Sequence, residues 1–501
     1  MALKVGISGL RGTVEEDAPG LTPDVVVRYT AAFGAWLRDQ AGGGTPLVAL
    51  GWDGRRSSPM IADLVRGTLL AVGCRVADLG QTLTPTVQFY VSHTPNVDGG
   101  VMITASHNPL AWNGLKFLDG NGRFLPLEVW EHLTSLAAGG HVPWAPLSRV
   151  AAVEKADDEA FAAHQHAVLA AVPADAIRGA RLRVALDACN SSAVRWVHAF
   201  EHLGCEVVAC HTEQHGFFAR PPEPLPPHLG TLCRLVQEAH CHVGFAADPD
   251  GDRLVLVDER GTPVSEEHTV VLCARERLLR REGPIVVNVV TTHALEEMFP
   301  HVPVLRTPVG EMNVVNGVVE AGAVLGGEGS GGIIVPDVHL ARDGLAAAAL
   351  VLSLMAQERL PLSALVAGIP PWRPVKVRLV PQGSSADDLR ALFADWQAVS
   401  PDIHVTPGDV RVEGERASLR LRVDGAVVRL EGRLPDGRAV HGEAPAQEAA
   451  PLVARLAEGV TGVDLRDGLK LSGQGVWLSL RPSNTEPILR LMGEIREERS
   501  S

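Results

Sequence analysis

Three times along its 501 residues the chain repeats one plan: a short apolar run, a polar turn, then a helical pattern. The runs begin at Leu47-Val-Ala-Leu-Gly51 with Asp53 and Arg55 behind it, at Leu182-Arg-Val-Ala-Leu186 with Asp187 and Asn190, and at Ile285-Val-Val-Asn-Val-Val290 with Thr291 and Thr292. Runs this short, lacking strict alternation, are buried on both faces, which parallel strands achieve when helices cover both sides of the sheet. Polar residues at the carboxyl ends of such strands line the ligand crevice. Past about residue 375 the pattern alternates instead, in Lys376-Val-Arg-Leu-Val380, Ala417-Ser-Leu-Arg-Leu-Arg-Val423 and Val427-Val-Arg-Leu-Glu-Gly-Arg433. That is the period of half-exposed antiparallel strands, and it is accompanied by helical patterns near 386–398 and 450–458. The expected fold class is therefore α/β: three similar α/β/α domains with mixed, mostly parallel sheets over 1–152, 153–258 and 259–373, plus a smaller α+β domain over 374–501. The stretch 383–450 reads as additional strands, and the proline-rich passages 219–227 and 370–374 as a loop and a linker.

A net charge of −14 repels polyanions and leaves no basic stripe, so nucleic acid is not an expected partner. The longest apolar run, around Leu345–Met355, falls short of the roughly 20 residues of a membrane span. The N-terminus lacks the charged-then-apolar plan of a signal peptide. Seven cysteines form no Cys-x-x-Cys pair, which points to reduced thiols in a cytoplasmic protein.

Five loops carry the chemistry. Ser106, in Thr104-Ala105-Ser106-His107-Asn108-Pro109, follows the apolar run Gly100–Ile103 and sits on a turn that can aim its hydroxyl; taken alone it is an ordinary turn serine. Asp248, Asp250 and Asp252, in Asp-Pro-Asp-Gly-Asp-Arg253, alternate in an extended loop and can turn three hard oxygen donors to one side, which suits Mg²⁺; the plain alternative is an acidic turn. Glu328 and Ser330 lie in the glycine-rich Gly327–Gly332 loop, where backbone can approach a ligand closely. Arg481, Ser483, Asn484, Thr485 and Arg490 combine guanidinium groups with small hydroxyl and amide donors, a phosphate cradle. Arg11, in Gly6-Ile-Ser-Gly-Leu-Arg11-Gly12, and Lys116, in Asn113-Gly-Leu-Lys116, add positive charge. His240 and His242 flank Cys241, and strand alternation would put them on one face with no further ligand nearby.

In this order and spacing the five loops resemble those of the α-D-phosphohexomutases nearly end to end. The Gly-Glu-Gly-Ser-Gly-Gly form of the third loop looks like the archaeal type found in phosphoglucosamine and phosphomannose mutases. The resemblance implies four domains around a central cleft and an enzyme that interconverts hexose 6- and 1-phosphates through a 1,6-bisphosphate. Ser106 would carry the phosphoryl group, and one Mg²⁺ would be held by Asp248, Asp250, Asp252 and an oxygen on Ser106. Lys116 would shuttle protons, Arg11 would add charge, and His107 would orient the serine loop. Arg253, Glu328 and Ser330 would contact the sugar phosphate, and the Arg481 loop with Arg490 would hold the distal phosphate. A hexose 1,6-bisphosphate is the expected activator, and the chain a monomer or homodimer. A bisphosphate synthase or phosphatase on the same site, and a silent sugar-phosphate sensor, are the alternatives. The chain departs from some members at Gly310 and Gly332, where those carry histidines, and at Asn190-Ser191-Ser192-Ala193, where a glycine-rich turn is usual.

Overall fold

A computed structural model describes residues 3–6, 9–15, 20–139, 144–382, 384–399, 401–424, 427–445, 449–482 and 488–497. They form two compact units, Met1–Val287 with Gly310–Gly368, and Asn288–Val309 with Ile369–Ser501.

The first unit contains the first two repeats and the opening strand residues Ile285–Val287 of the third. Its largest sheet runs in the order Lys4–Gly6, Gly9–Thr13, Trp112–Leu118, Gly99–Ile103, Leu47–Trp52, Arg75–Gln81, Val153–Lys155. Leu47–Trp52 is parallel to both neighbours, with Val48 opposite Val76 and Gly99, whereas Gly99–Ile103 runs antiparallel to Trp112–Leu118. Helices Pro23–Gln40, Ser58–Ala71 and Thr84–His93 are among those packed on this sheet, and every residue of Gly99–Ile103 is buried. The second sheet orders Leu254–Asp258, Val243–Ala247, Arg183–Asp187 and Glu206–Cys210. In the third, Ile285–Val287 pairs in parallel with Leu325–Gly327, and Leu325–Glu328 turns back antiparallel into Gly332–Ile334. The apolar run at 345–355 becomes the helix Gly344–Glu358, buried through Met355 and capped by Asp343, whose carboxylate accepts from the amides of Leu345 and Ala346. No helix among the described residues is long and apolar enough to cross a membrane.

The second unit holds two antiparallel five-stranded sheets, Trp372–Leu379, Leu489–Arg496, Val476–Pro482, Leu469–Gly473, Val460–Asp464 and the meander Asp402–Thr406, Asp409–Glu413, Ser418–Asp424, Val427–Arg433, Ala439–Pro445. The meander and the helix Ala386–Ala398 account for the stretch read as additional strands. They share one core with the first of these sheets, through Trp396, Leu419, Leu430, Leu452, Leu478 and Leu491. The seven cysteines are free thiols.

One local expectation fails. His240 and His242 lie on no strand: the strand starts at Val243, and His240 adopts a left-handed conformation (φ 51°) where the chain reverses out of helix Gly230–Glu238. The ring of His242 turns back and accepts from the amide of Arg183 at 2.8 Å.

Candidate active site

Ser106 is held from beneath. It sits at φ 50°, a left-handed conformation that costs a non-glycine residue about 1 kcal/mol or more and persists only when its surroundings impose it. They do so through Asp53 and Arg55, at the carboxyl end of the first repeat's strand. The buried Arg55 guanidinium donates to the carbonyls of Ser106 and Asn108 at 2.6 Å, Pro109 at 2.7 Å and Trp112 at 2.9 Å, and to Asp53 Oδ2 at 3.1 Å. Asp53 in turn accepts from Thr104 Oγ1 at 2.7 Å, and Thr104 Oγ1 accepts from the Ser106 amide at 2.8 Å. The serine side chain, 1 % exposed, donates to Asp248 Oδ2 at 3.1 Å and lies 3.4 Å from His107 Nδ1. Arg11 reaches the same loop through Asn108 Oδ1 at 3.2 Å.

The aspartate loop faces this serine. Asp248, Asp250 and Asp252 are fully buried, with one oxygen of each within 4.8 Å of the others. Asp250 Oδ2 accepts from Thr84 Oγ1 at 2.6 Å and from Lys116 Nζ at 2.7 Å; Lys116 lies 3.7 Å from Asp252. Asp250 Oδ1 and Asp252 Oδ1 accept no hydrogen bond, Asp252 Oδ1 lying 3.7 Å from Arg253 Nε. Buried carboxylate oxygens without a hydrogen bond are costly unless a cation takes them, so the ring fits Mg²⁺ by donor type and by these two oxygens. The charges follow from the crowding. Burial, then Asp252 and Asp250, push Asp248 well above the usual carboxylate range. Burial, the largest single influence, acts on Asp250 in the same direction, but the charge and hydrogen bond of Lys116 together with the hydrogen bond from Thr84 bring the carboxyl below that range. Asp252 is lowered against its own burial by Arg342, Lys116 and Arg253. Burial and then Arg253 and Arg11 depress His107 well below an ordinary imidazole, so beside Ser106 it is neutral at pH 7.

The loop is braced from the second repeat. Ser191, in the turn that departs from the glycine-rich form, donates to the carbonyl of Pro249 and accepts from the amide of Gly54 at 2.8 Å. Cys189 and Asn190 supply the left-handed conformations that glycines would otherwise provide (φ 52° and 49°).

Glu328 ends the third repeat's strand Leu325–Glu328; its Oε2 accepts from Arg342 at 2.8 Å and its Oε1 from the Gly310 amide at 3.4 Å. Ser330 follows in the same turn, partly exposed. Two glycines here are dictated by contact. A Cβ on Gly329 would fall 1.9 Å from Glu267 Oε2, and one on Gly332 2.4 Å from Arg342 Cδ. The side chain missing at Gly332 thus leaves room for Arg342. Arg253 is mostly buried, its amide donating to Asp248 Oδ1 at 3.2 Å and its guanidinium 3.6 Å from Glu223.

The first unit thus brings together Arg11, Ser106, His107, Lys116, the three aspartates, Arg253 and the Glu328–Ser330 turn. In the second unit, Arg481 lies directly opposite Arg490 across paired strands, and Arg490 opposite Arg378, so three guanidinium residues share the sheet face away from the core. Arg481 donates to Asp467 at 2.8 Å and its buried Nε has no partner. Ser483, Asn484 and Thr485 lie outside the described residues. Sequence reasoning left Thr84, Glu267, Glu311 and Arg342 out of the site. Arg342 carried a signal, since it stands in Arg342-Asp343-Gly344, shortly after the glycine-rich loop, where the resemblance to the α-D-phosphohexomutases also holds.

Known proteins show where this arrangement belongs. Residues 2–140, 162–261 and 265–371 match the models of phosphoglucomutase/phosphomannomutase α/β/α domains I, II and III. A probable phosphoglucosamine mutase of Methanopyrus kandleri is 32 % identical over 98 % of this chain and 94 % of its own length. A phosphoglucosamine mutase of Nitratidesulfovibrio vulgaris is 32 % identical over 90 % of this chain and 96 % of its own. Among solved structures, a phosphoglucomutase/phosphomannomutase family protein of Burkholderia thailandensis has the same fold, with a TM-score of 0.73 at 23 % identity over 99 % of this chain and 93 % of that one. With the three domain models in chain order and these relatives spanning nearly its whole length, the chain belongs to the phosphoglucomutase/phosphomannomutase family.

Proposed function

We propose that the chain is a phosphohexomutase that interconverts hexose 6-phosphate and hexose 1-phosphate, with glucosamine or mannose phosphate preferred over glucose phosphate. The observation that carries the reading is Ser106: a buried hydroxyl, held in a left-handed turn by Arg55, 3.1 Å from Asp248, in a cluster of three aspartates of which Asp250 and Asp252 each keep one oxygen without a hydrogen bond. Names of the relatives similar over the full chain support the substrate class. In the forward step a free sugar hydroxyl attacks the phosphorus of phosphorylated Ser106. The new O–P bond forms as the Ser106 Oγ–P bond breaks, giving a 1,6-bisphosphate, and the hydroxyl proton leaves to a basic group. Return of the other phosphoryl group to Ser106, after the intermediate turns over, completes the exchange.

Asp248, Asp250 and Asp252, with an oxygen on Ser106, would hold Mg²⁺, which supplies charge stabilisation to a transferring phosphoryl group. The protein's own part is placement. Arg55 fixes the serine backbone, neutral His107 orients its side chain, and Arg11 and Arg253 bring positive charge to the transferring group. Glu328 and Ser330 would take sugar hydroxyls. Arg481, Ser483, Asn484, Thr485 and Arg490 would grip the phosphate that is not reacting, by charge rather than by a particular carbon. Lys116, committed to Asp250 at 2.7 Å, is placed to hand a proton to or from a hydroxyl arriving over that aspartate. A hexose 1,6-bisphosphate primes the serine.

The test is the Ser106→Ala variant assayed beside the wild type with glucosamine, mannose and glucose phosphates, Mg²⁺ and a trace of bisphosphate. Isomer formation by the wild type, lost in the variant, is expected. Isomer from the variant, or inorganic phosphate as the wild type's main product, refutes the reading, the latter in favour of a phosphatase.

A further inference from the structure

Arg342 is absent from the groups that the sequence motifs single out, yet it touches three carboxylates of the site. Its Nη2 donates to Asp252 Oδ2 at 2.7 Å, its Nη1 to Glu328 Oε2 at 2.8 Å and its Nε to Glu311 Oε2 at 3.0 Å. The contacts close a circuit. Glu311 Oε1 accepts from Gln88 Nε2 at 3.3 Å, and Gln88 shares the helix Thr84–His93 with Thr84, whose hydroxyl donates to Asp250. One path of polar contacts therefore leaves the aspartate loop at Asp250, runs through a helix of the first repeat, and returns through Arg342 to Asp252. The backbone that carries Arg342 is anchored on both sides. Residue 342 bridges Ile334, and the next residue, Asp343, caps Gly344–Glu358 and accepts from His164 at 2.8 Å. The stem of Arg342 fills the space a side chain on Gly332 would occupy.

We propose that Arg342 is a positioning residue that ties Glu328 to Asp252, fixing where Glu328 meets the sugar while moderating the negative charge that the aspartates present to a cation. This rests on the reading of Glu328 as sugar-binding and of the aspartates as metal-binding. Two properties of one group are involved, and they separate. The planar guanidinium serves three acceptors in fixed directions, which an ammonium cannot do, so geometry is lost on substitution by lysine. The positive charge beside Asp252 is kept by lysine and lost with alanine.

The full-length Arg342→Lys and Arg342→Ala variants are titrated calorimetrically with Mn²⁺ in the absence of sugar, and their steady-state kinetics are measured with the hexose phosphate the wild type uses best. Arg342→Ala is expected to bind Mn²⁺ about threefold or more tighter, because a repelling charge has gone, while its KM rises about tenfold or more. Arg342→Lys is expected to bind Mn²⁺ like the wild type, yet to show a raised KM with kcat within about threefold of the wild-type value. Structural damage would loosen metal and sugar together, so weaker Mn²⁺ binding by Arg342→Ala overturns the proposal, as does a wild-type KM in Arg342→Lys. Should the alanine variant fail to fold, the lysine variant decides alone by the same KM criterion. Failure of the mutase reading would show separately, as a wild type that turns over no hexose phosphate; the Mn²⁺ titrations of the two variants then decide.

Discussion

Replacing Arg55 by lysine should loosen the serine loop without touching a group that meets substrate. The guanidinium makes five hydrogen bonds, four of them to carbonyls of residues 106, 108, 109 and 112, and the fifth to Asp53. An ammonium keeps the charge against Asp53 and reaches one or two of those carbonyls, leaving at least two of them without their guanidinium donor. Each hydrogen bond from a charged donor is worth about 1.5–3 kcal/mol net, and the losses are not additive, so about 3 kcal/mol is expected. That is roughly a hundredfold in the equilibrium for local opening. Peptide-resolved amide exchange over residues 104–112, compared with the strand Val243–Ala247 as an internal standard, should accelerate by that factor in Arg55→Lys. Turnover should fall alongside, since displacing a reacting group by about 1 Å can cost about a hundredfold. Unchanged exchange in 104–112 would refute the argument, because the left-handed Ser106 would then be held by something other than this guanidinium.

Asp250→Asn removes a charge from the ring and a partner from Lys116, so Mn²⁺ affinity should drop about tenfold or more in calorimetry; unchanged affinity would exclude Asp250 as a ligand. A Cβ on Gly344 would lie 2.7 Å from Trp196 Cη2 and 2.9 Å from the carbonyl of Gly251. Gly344→Ala should therefore displace the aspartate loop, costing about 1–3 kcal/mol in stability and weakening Mn²⁺ binding, both readable by thermal shift with and without the ion. Lys470, buried against Val289 O at 2.6 Å and the face of Trp477, is lowered to about 7, chiefly by burial and then by Arg306. Between pH 7 and about 10.5 the unfolded chain holds a proton that the folded chain has shed, so this group makes stability rise with pH across that window, by up to about 5 kcal/mol. Unfolding of the wild type at pH 7 and pH 9.5, beside Lys470→Met, tests it: the variant should lose this rise, and an identical pH response would contradict the assignment.

The repeats were legible because burial on both faces leaves a compositional mark, and the C-terminal change of pattern because half-exposure leaves another. The strands over 417–423 and 427–433 and the helix at 386–398 lie where alternation and helical spacing put them. The serine, aspartate and Glu328 loops were readable as chemistry because their residues are close in sequence. What stayed hidden depends on contacts across long separations. Thr84 meets Asp250, 166 positions away, and Arg342 meets Asp252, 90 away, and neither leaves a local pattern. His240 and His242 misled for the opposite reason: two histidines at alternate positions mimic a strand face, although the chain is still turning there.

The burial of Ser106 bears on how long an ester on it survives. With 1 % of the residue open to solvent, few water molecules could line up behind the phosphorus of an ester on it, whereas under the proposed function a bound sugar would bring its hydroxyl there. On the proposed function, hydrolysis would thereby be slowed relative to transfer, and the charged enzyme could wait between customers without spending its cargo on the solvent.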